Sequence, residues 1–60
     1  MSKYKLKQEL FFEDGNSIST DIVLKELEQD LSQNMIKLET LSEYNVKRIF
    51  WANKESLQKL

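Results

Sequence analysis

The stretch at residues 19–33 constrains the fold of this chain more than any other. Val23, Leu24, Leu27 and Leu31 recur at intervals of one, three and four residues, and mostly charged or amide side chains fill the positions between them. This spacing is typical of an amphipathic helix with one apolar stripe. Since such a stripe has to be covered, we predict that the other segments pack against a helix formed here.

The segment before this stretch alternates between apolar and polar residues, which is the pattern of a half-buried strand. Over residues 3–13 one face holds Tyr4, Leu6, Leu10 and Phe12. Residues 14–16 then read Asp-Gly-Asn and contain the only glycine of the chain, so we predict a turn there. A hairpin is the competing interpretation, because alternation resumes at Ile18. We favour the helix, since Ser-Thr-Asp at residues 19–21 offers three good N-caps.

Two more strands are predicted in the second half of the chain. Over residues 34–44 the residues Ile36, Leu38 and Thr40 share one face, and Asn34 before them tolerates the left-handed conformation. The alternative is that the helix continues over residues 20–44. Residues 45–52 are rich in β-branched and aromatic side chains, which favours a strand. The tail either begins a short helix capped by Asn53 or has no regular structure.

These segments predict one α+β domain covering residues 1–60. Its order is β-α-β-β, with one amphipathic helix packed on one face of a three-stranded sheet. The connection through the helix is expected to return parallel to the first strand. The alternative is a β-α-β fold with one long helix at residues 20–44.

The composition excludes the common catalytic and metal sites. The chain has no cysteine and no histidine, so there is no conventional triad, thiol nucleophile or imidazole base. One glycine cannot build a phosphate-binding loop, and residues 14–16 lack the ligand pattern of a calcium loop. We therefore expect no enzyme, cofactor or metal. We also expect a cytoplasmic protein, because no apolar run is long enough to span a bilayer and no signal peptide is visible.

A single helix can cover only one face of the sheet, which leaves the other face exposed. We predict an interaction surface there, in which apolar side chains lie among basic ones: Phe11, Ile49, Trp51, Lys5, Lys7 and Lys47. The alternative register places Ile49 and Trp51 in the core and Phe50 outside. Either register leaves a large aromatic side chain uncovered.

These features predict a small non-enzymatic module that binds or inhibits another protein. Because 60 residues bury a marginal core and no disulfide can form, we expect self-association through the sheet, with a dimer favoured. Size and composition would suit an accessory protein of a bacterium or its phage. The alternative function is single-stranded nucleic-acid binding by basic and aromatic residues on a sheet face. A membrane role is not expected.

The net charge is −1, with lysines concentrated near both ends and carboxylates in the middle. A second partner surface is therefore predicted on the polar face of the helix, where an acidic set could imitate a phosphate backbone: Glu26, Glu28, Gln29 and Asp30.

Overall fold

The structure is a computed structural model that describes residues 2–40 and 47–60, and nearly all of the regular structure in them is β. The described strands, in chain order, are β1 (Lys3–Leu6), β2 (Leu10–Phe11), β3 (Ser17–Ile18), β4 (Leu24–Asp30), β5 (Met35–Thr40), β6 (Ile49–Asn53) and β7 (Leu57–Lys59). Five of them form an antiparallel sheet in the order β6-β5-β4-β1-β7, and β2 pairs with β3 in a separate two-stranded sheet.

The predicted α+β fold is therefore wrong, as is its alternative with a long helix at residues 20–44. The segment predicted as the helix contains β4 and part of the turn after it. The pairing of β4 with β5 shifts between Glu26 and Glu28, so Leu27 is an additional residue in a β-bulge. A bulge changes the phase of the alternation, which puts apolar residues three positions apart within one strand. That spacing imitates a helical period.

The core lies between the two sheets. One face of the five-stranded sheet supplies eight buried apolar side chains, namely Tyr4, Leu6, Leu24, Ile36, Leu38, Phe50, Ala52 and Leu57, and β3 adds Ile18. The partly buried side chains of Leu10, Phe12 and Ile22 pack against this core. The β2–β3 hairpin and the segment after it thus provide the cover that the sequence assigned to a helix.

Arg48 ties the hairpin to the large sheet. Its guanidinium carbon lies 4.0 Å from the centroid of the Phe12 ring and its Nη2 pairs with the carboxylate of Asp14. The Phe12 ring in turn meets the Phe50 ring edge to face, with centroids 5.6 Å apart. These contacts fix the position of the hairpin over the strand that contains Phe50.

Several local predictions are confirmed. The turn at residues 14–16 forms, with Gly15 at a φ of 88° and the Phe12 amide donating to the carbonyl of Asn16 at 2.9 Å. The segment predicted as a strand at residues 34–44 contains β5, with Ile36, Leu38 and Thr40 buried together, whereas residues 41–44 lie outside the described part. Asn34 is left-handed at a φ of 56°, although it belongs to a hairpin turn instead of a helix cap.

The end of the chain was only partly predicted. The strand predicted at residues 45–52 is seen as β6, whose register buries Phe50 and Ala52; residues 45 and 46 are not described. Asn53 caps a 3-10 turn (Lys54–Ser56) by accepting from the Glu55 amide at 2.9 Å. The following β7 was not predicted. The predicted strand at residues 3–13 is divided into β1 and β2, and both β1 partners are antiparallel to it.

Candidate interaction surface

Strand β6 is one edge of the five-stranded sheet. The Thr40 amide donates to the Arg48 carbonyl at 3.0 Å and the Lys54 amide to the Asn34 carbonyl at 2.9 Å. Since hydrogen-bonded positions alternate along an antiparallel pair, the even-numbered residues of β6 bond to β5. The backbone N–H and C=O groups of Ile49, Trp51 and Asn53 therefore point away from the sheet, which is the arrangement that accepts another strand.

The side chains of two of these edge residues are apolar and lie on the uncovered face of the sheet. Ile49 is 53% exposed and Trp51 is 42% exposed, whereas Phe50 and Ala52 between them face the core. We call this side of the five-stranded sheet, which no segment within residues 2–40 and 47–60 covers, the open face. An exposed aromatic residue beside a β-branched one on an unpaired edge is a feature of protein-binding surfaces.

Charged side chains occupy most of the rest of the open face. Lys37 lies opposite Trp51 on β5, and its Nζ is 3.9 Å from the Glu28 carboxylate; the Nζ of Lys47 is 3.8 Å from that of Glu39. Such ion pairs at the protein surface contribute little to stability. They do balance the charges of Glu28 and Glu39 on this part of the face.

Three further lysines lie on the open face at the other side of the sheet. Lys3 and Lys25 are directly opposite each other on β1 and β4, and Lys5 follows two residues after Lys3. We call these three residues the lysine cluster. No carboxylate lies within 4.0 Å of their ammonium groups among the described residues.

The structure brings together only part of the predicted interaction surface. Ile49, Trp51, Lys47 and Lys5 belong to the open-face side of the large sheet. Phe11, 71% exposed, is on β2 of the hairpin and points away from the core, because its neighbours Leu10 and Phe12 pack inward. Lys7 follows β1 and lines a cleft instead. The predicted surface is thus divided between two sides of the molecule.

The predicted acidic set does not form one face either, because no helix carries it. Glu28 and Asp30 lie opposite the open-face residues Lys37 and Met35, whereas Glu26 and Gln29 lie opposite the buried Leu38 and Ile36. Each member also has a local partner: Glu26 accepts from the Tyr4 hydroxyl at 3.1 Å, and Gln29 donates to Glu26 at 3.2 Å.

Asp30 has a structural role in the turn between β4 and β5. Its Oδ1 accepts from the Ser32 hydroxyl at 2.6 Å and from the Ser32 and Gln33 amides at 3.1 and 3.3 Å. These bonds, the hydroxyl bond first, lower the pKa of Asp30 below its ordinary value.

A cleft of about 460 Å³ opens beside the edge of β6. Leu6, Leu10 and Ala52 contribute apolar surface to it, Trp51 lines it, and Lys7 and Glu9 are among its polar residues. It lies where the small hairpin stops covering the inner side of the larger sheet. The cleft therefore adjoins the same edge that carries Trp51.

Within residues 2–40 and 47–60, no group of three or more acidic, histidine or cysteine residues is placed to hold a metal ion. No helix in that part of the chain is long and apolar enough to cross a membrane.

No protein-family model, no curated protein and no solved structure matches this chain.

Proposed function

We propose that this protein is a small, non-enzymatic interaction module that associates with a second copy of itself through β6. The observation that supports the proposal is the backbone edge at Ile49, Trp51 and Asn53, which pairs with no other strand of the described residues, together with the apolar side chains of the first two. Pairing across this edge would satisfy the outward N–H and C=O groups and place the two apolar side chains beside those of the second copy.

A twofold axis perpendicular to the sheet gives an antiparallel pair of β6 strands. With the axis at Phe50, Ile49 of each copy lies opposite Trp51 of the other, and Lys47 lies opposite Asn53. With the axis at Trp51, the Trp51 side chains face each other, but Arg48 lies opposite Lys54, which places like charges together. Because aromatic and β-branched side chains form favourable cross-strand pairs, the register centred on Phe50 is preferred.

The interface is small, since β6 has five residues. Interfaces at the low end of the size range are weak, so association is expected to depend on concentration between about 1 µM and about 1 mM. Weak and reversible pairing suits a regulatory module. The lack of cysteine in the sequence also supports our proposal that it works in the cytoplasm.

Sedimentation across this concentration range tests the proposal. The wild-type protein is expected to shift toward dimer, and Trp51→Ala should remain monomeric at concentrations where the wild type pairs. Phe11→Ala is the matched control, because it also removes an exposed aromatic ring but from the other sheet. A monomeric wild type, or equal losses in the two variants, would contradict pairing through β6.

Cysteine cross-linking tests the register, and the natural chain contains no cysteine to interfere. In a mixture of Ile49→Cys and Trp51→Cys proteins, the register centred on Phe50 predicts a mixed disulfide. That mixed pair retains one intact contact between Ile49 and Trp51. Efficient cross-linking of Trp51→Cys with itself would instead place the axis at Trp51.

A further inference from the structure

Two residues of the lysine cluster, Lys3 and Lys25, lie opposite each other on neighbouring strands, which is unfavourable for two like charges. The Glu26 amide donates to the Ser2 carbonyl at 3.1 Å, so Ser2 and Glu26 form a hydrogen-bonded pair. Because such pairs alternate, Lys3 and Lys25 form a non-hydrogen-bonded pair, the type in which opposite side chains approach most closely. Like charges directly opposite each other destabilise a sheet.

No carboxylate of the described residues forms an ion pair with these lysines. Glu39 lies opposite Lys25 in the register, but its carboxylate is the one within 3.8 Å of Lys47. The pKa of Asp21 is lowered, and the first cause is the hydrogen bond from the Ser19 hydroxyl. The charge of Lys5 is the last cause, and Lys5 lies beyond ion-pair distance from Asp21. Within the described residues, the cluster thus holds three positive charges without a paired carboxylate.

A stacking surface lies on the same open face. Trp51 is three strands away from β1 in the order β6-β5-β4-β1, which is about 14 Å across the sheet at about 4.8 Å per strand. The row of Lys25 continues through Glu39 to Ile49, so Trp51 is also displaced by two residues, or about 7 Å, along the strands. Lys37 lies opposite Trp51 on β5, toward the lysine cluster. Exposed lysines and an aromatic ring on one sheet surface are the combination used by proteins that bind single strands, where lysines contact phosphates and aromatic rings stack on bases.

We propose that the open face binds single-stranded nucleic acid, with phosphates at Lys3, Lys5 and Lys25 and a base stacked on Trp51. This site does not rest on self-association, because the lysine cluster belongs to β1 and β4 and not to the β6 edge. In the twofold dimer Trp51 stays on the open face, so pairing and nucleic-acid binding are compatible. The bound phosphates supply the negative charge that the Lys3–Lys25 pair lacks.

The fluorescence of Trp51, the only tryptophan of the chain, reports the proposed stacking directly. Titration with an oligo-dT strand at low salt is expected to quench it. Three phosphate contacts predict that log K falls against log salt with a slope of about −2, since each contact on a single strand contributes about −0.7. Lys25→Gln should weaken binding and reduce the slope by about 0.7, and the control Lys54→Gln, in the 3-10 turn, should change neither.

Three outcomes would overturn the proposal. One is the absence of quenching and of binding at low salt. The second is equal weakening by Lys25→Gln and Lys54→Gln, which would show that only overall charge matters. The third is equally tight binding of inorganic polyphosphate or an acidic peptide in competition with the oligonucleotide, which would assign the cluster to polyanions in general. Sedimentation separates this test from that of the proposed function, because Lys25→Gln should leave self-association unchanged.

Discussion

Replacing Phe50 tests which side of β6 belongs to the core, and the inference of an uncovered Trp51 depends on that. The Phe50 side chain is 9% exposed, and its ring meets Phe12 edge to face at 5.6 Å between centroids. Truncating a buried phenylalanine to alanine costs about 3–5 kcal/mol. A domain of 60 residues has a total stability of about 3–9 kcal/mol. Phe50→Ala is therefore expected to remove between about a third and all of the stability of the domain.

A milder substitution makes the loss measurable. Phe50→Leu keeps most of the apolar volume but removes the ring contact, so a loss of about 1–2 kcal/mol is expected. Urea unfolding followed by Trp51 fluorescence measures it. With a slope of about 1 kcal/mol per molar urea, the midpoint should fall by about 1–2 M. The protein concentration must be low and equal for all variants, because association also raises apparent stability.

Phe11→Leu is the matched control, since it makes the same change at a side chain that is 71% exposed. Its free energy of unfolding should stay within about 0.5 kcal/mol of the wild type. If Phe11→Leu costs as much as Phe50→Leu, the hairpin presents its other side to the core. If Trp51→Leu costs more than Phe50→Leu in the monomer, the register of β6 is inverted and the open face loses its apolar pair.

Three further substitutions test local features. Thr40→Val removes the hydroxyl that accepts from the Arg48 amide at 3.0 Å; we expect a loss of about 1–2 kcal/mol and faster hydrogen exchange at that amide, whereas Thr40→Ser should retain its protection. Because the pKa of Asp30 is lowered in the folded state, its stabilisation is complete above its unfolded pKa of about 4 and is lost as pH falls through the folded value. Asp30→Asn, which keeps the acceptor but does not titrate, should therefore lose less Tm than the wild type between pH 5 and pH 2, and equal losses would exclude this role. Gly15→Ala should cost about 1–2 kcal/mol through its φ of 88° alone, as no atom lies within 4 Å of the added Cβ; an unchanged Tm would show that the turn relaxes.

The sequence predicts the strands where one regular period is maintained. Tyr4 and Leu6, Ile36 and Leu38, and Phe50 and Ala52 each alternate without interruption, and each pair is buried as that alternation indicates. The prediction fails at β4, where the bulge adds Leu27 to the strand. Leu31 continues the apparent helical stripe, although it lies in the turn and is 78% exposed. Local spacing cannot reveal a bulge, because the bulge is defined by the partner strand.

The candidate site could likewise be predicted only where it depends on the alternation within one strand. The outward position of Ile49 and Trp51 could be read from the alternation of β6. The lysine cluster could not, because it combines Lys3 and Lys5 with Lys25, which lies in the segment that the sequence pattern predicts as a helix. Lys25 meets Lys3 only through the pairing of β1 with β4, a contact between residues far apart in the chain. The strand β7 was missed for a related reason: its three residues, Leu57–Lys59, are too few to show a period.

The position of β1 inside the large sheet has a consequence for how the molecule is assembled. The strands β4, β5 and β6 are consecutive in the chain and adjacent in the sheet, so they can pair by closing short loops. By contrast, β1 must pair with β4 on one side and with β7 on the other, and β7 begins more than fifty residues after β1 ends. Closing such large loops slows folding. We therefore expect the antiparallel β4-β5-β6 unit to form early. The pairing of β1, which places Lys3 opposite Lys25, is expected to be the last and rate-limiting step.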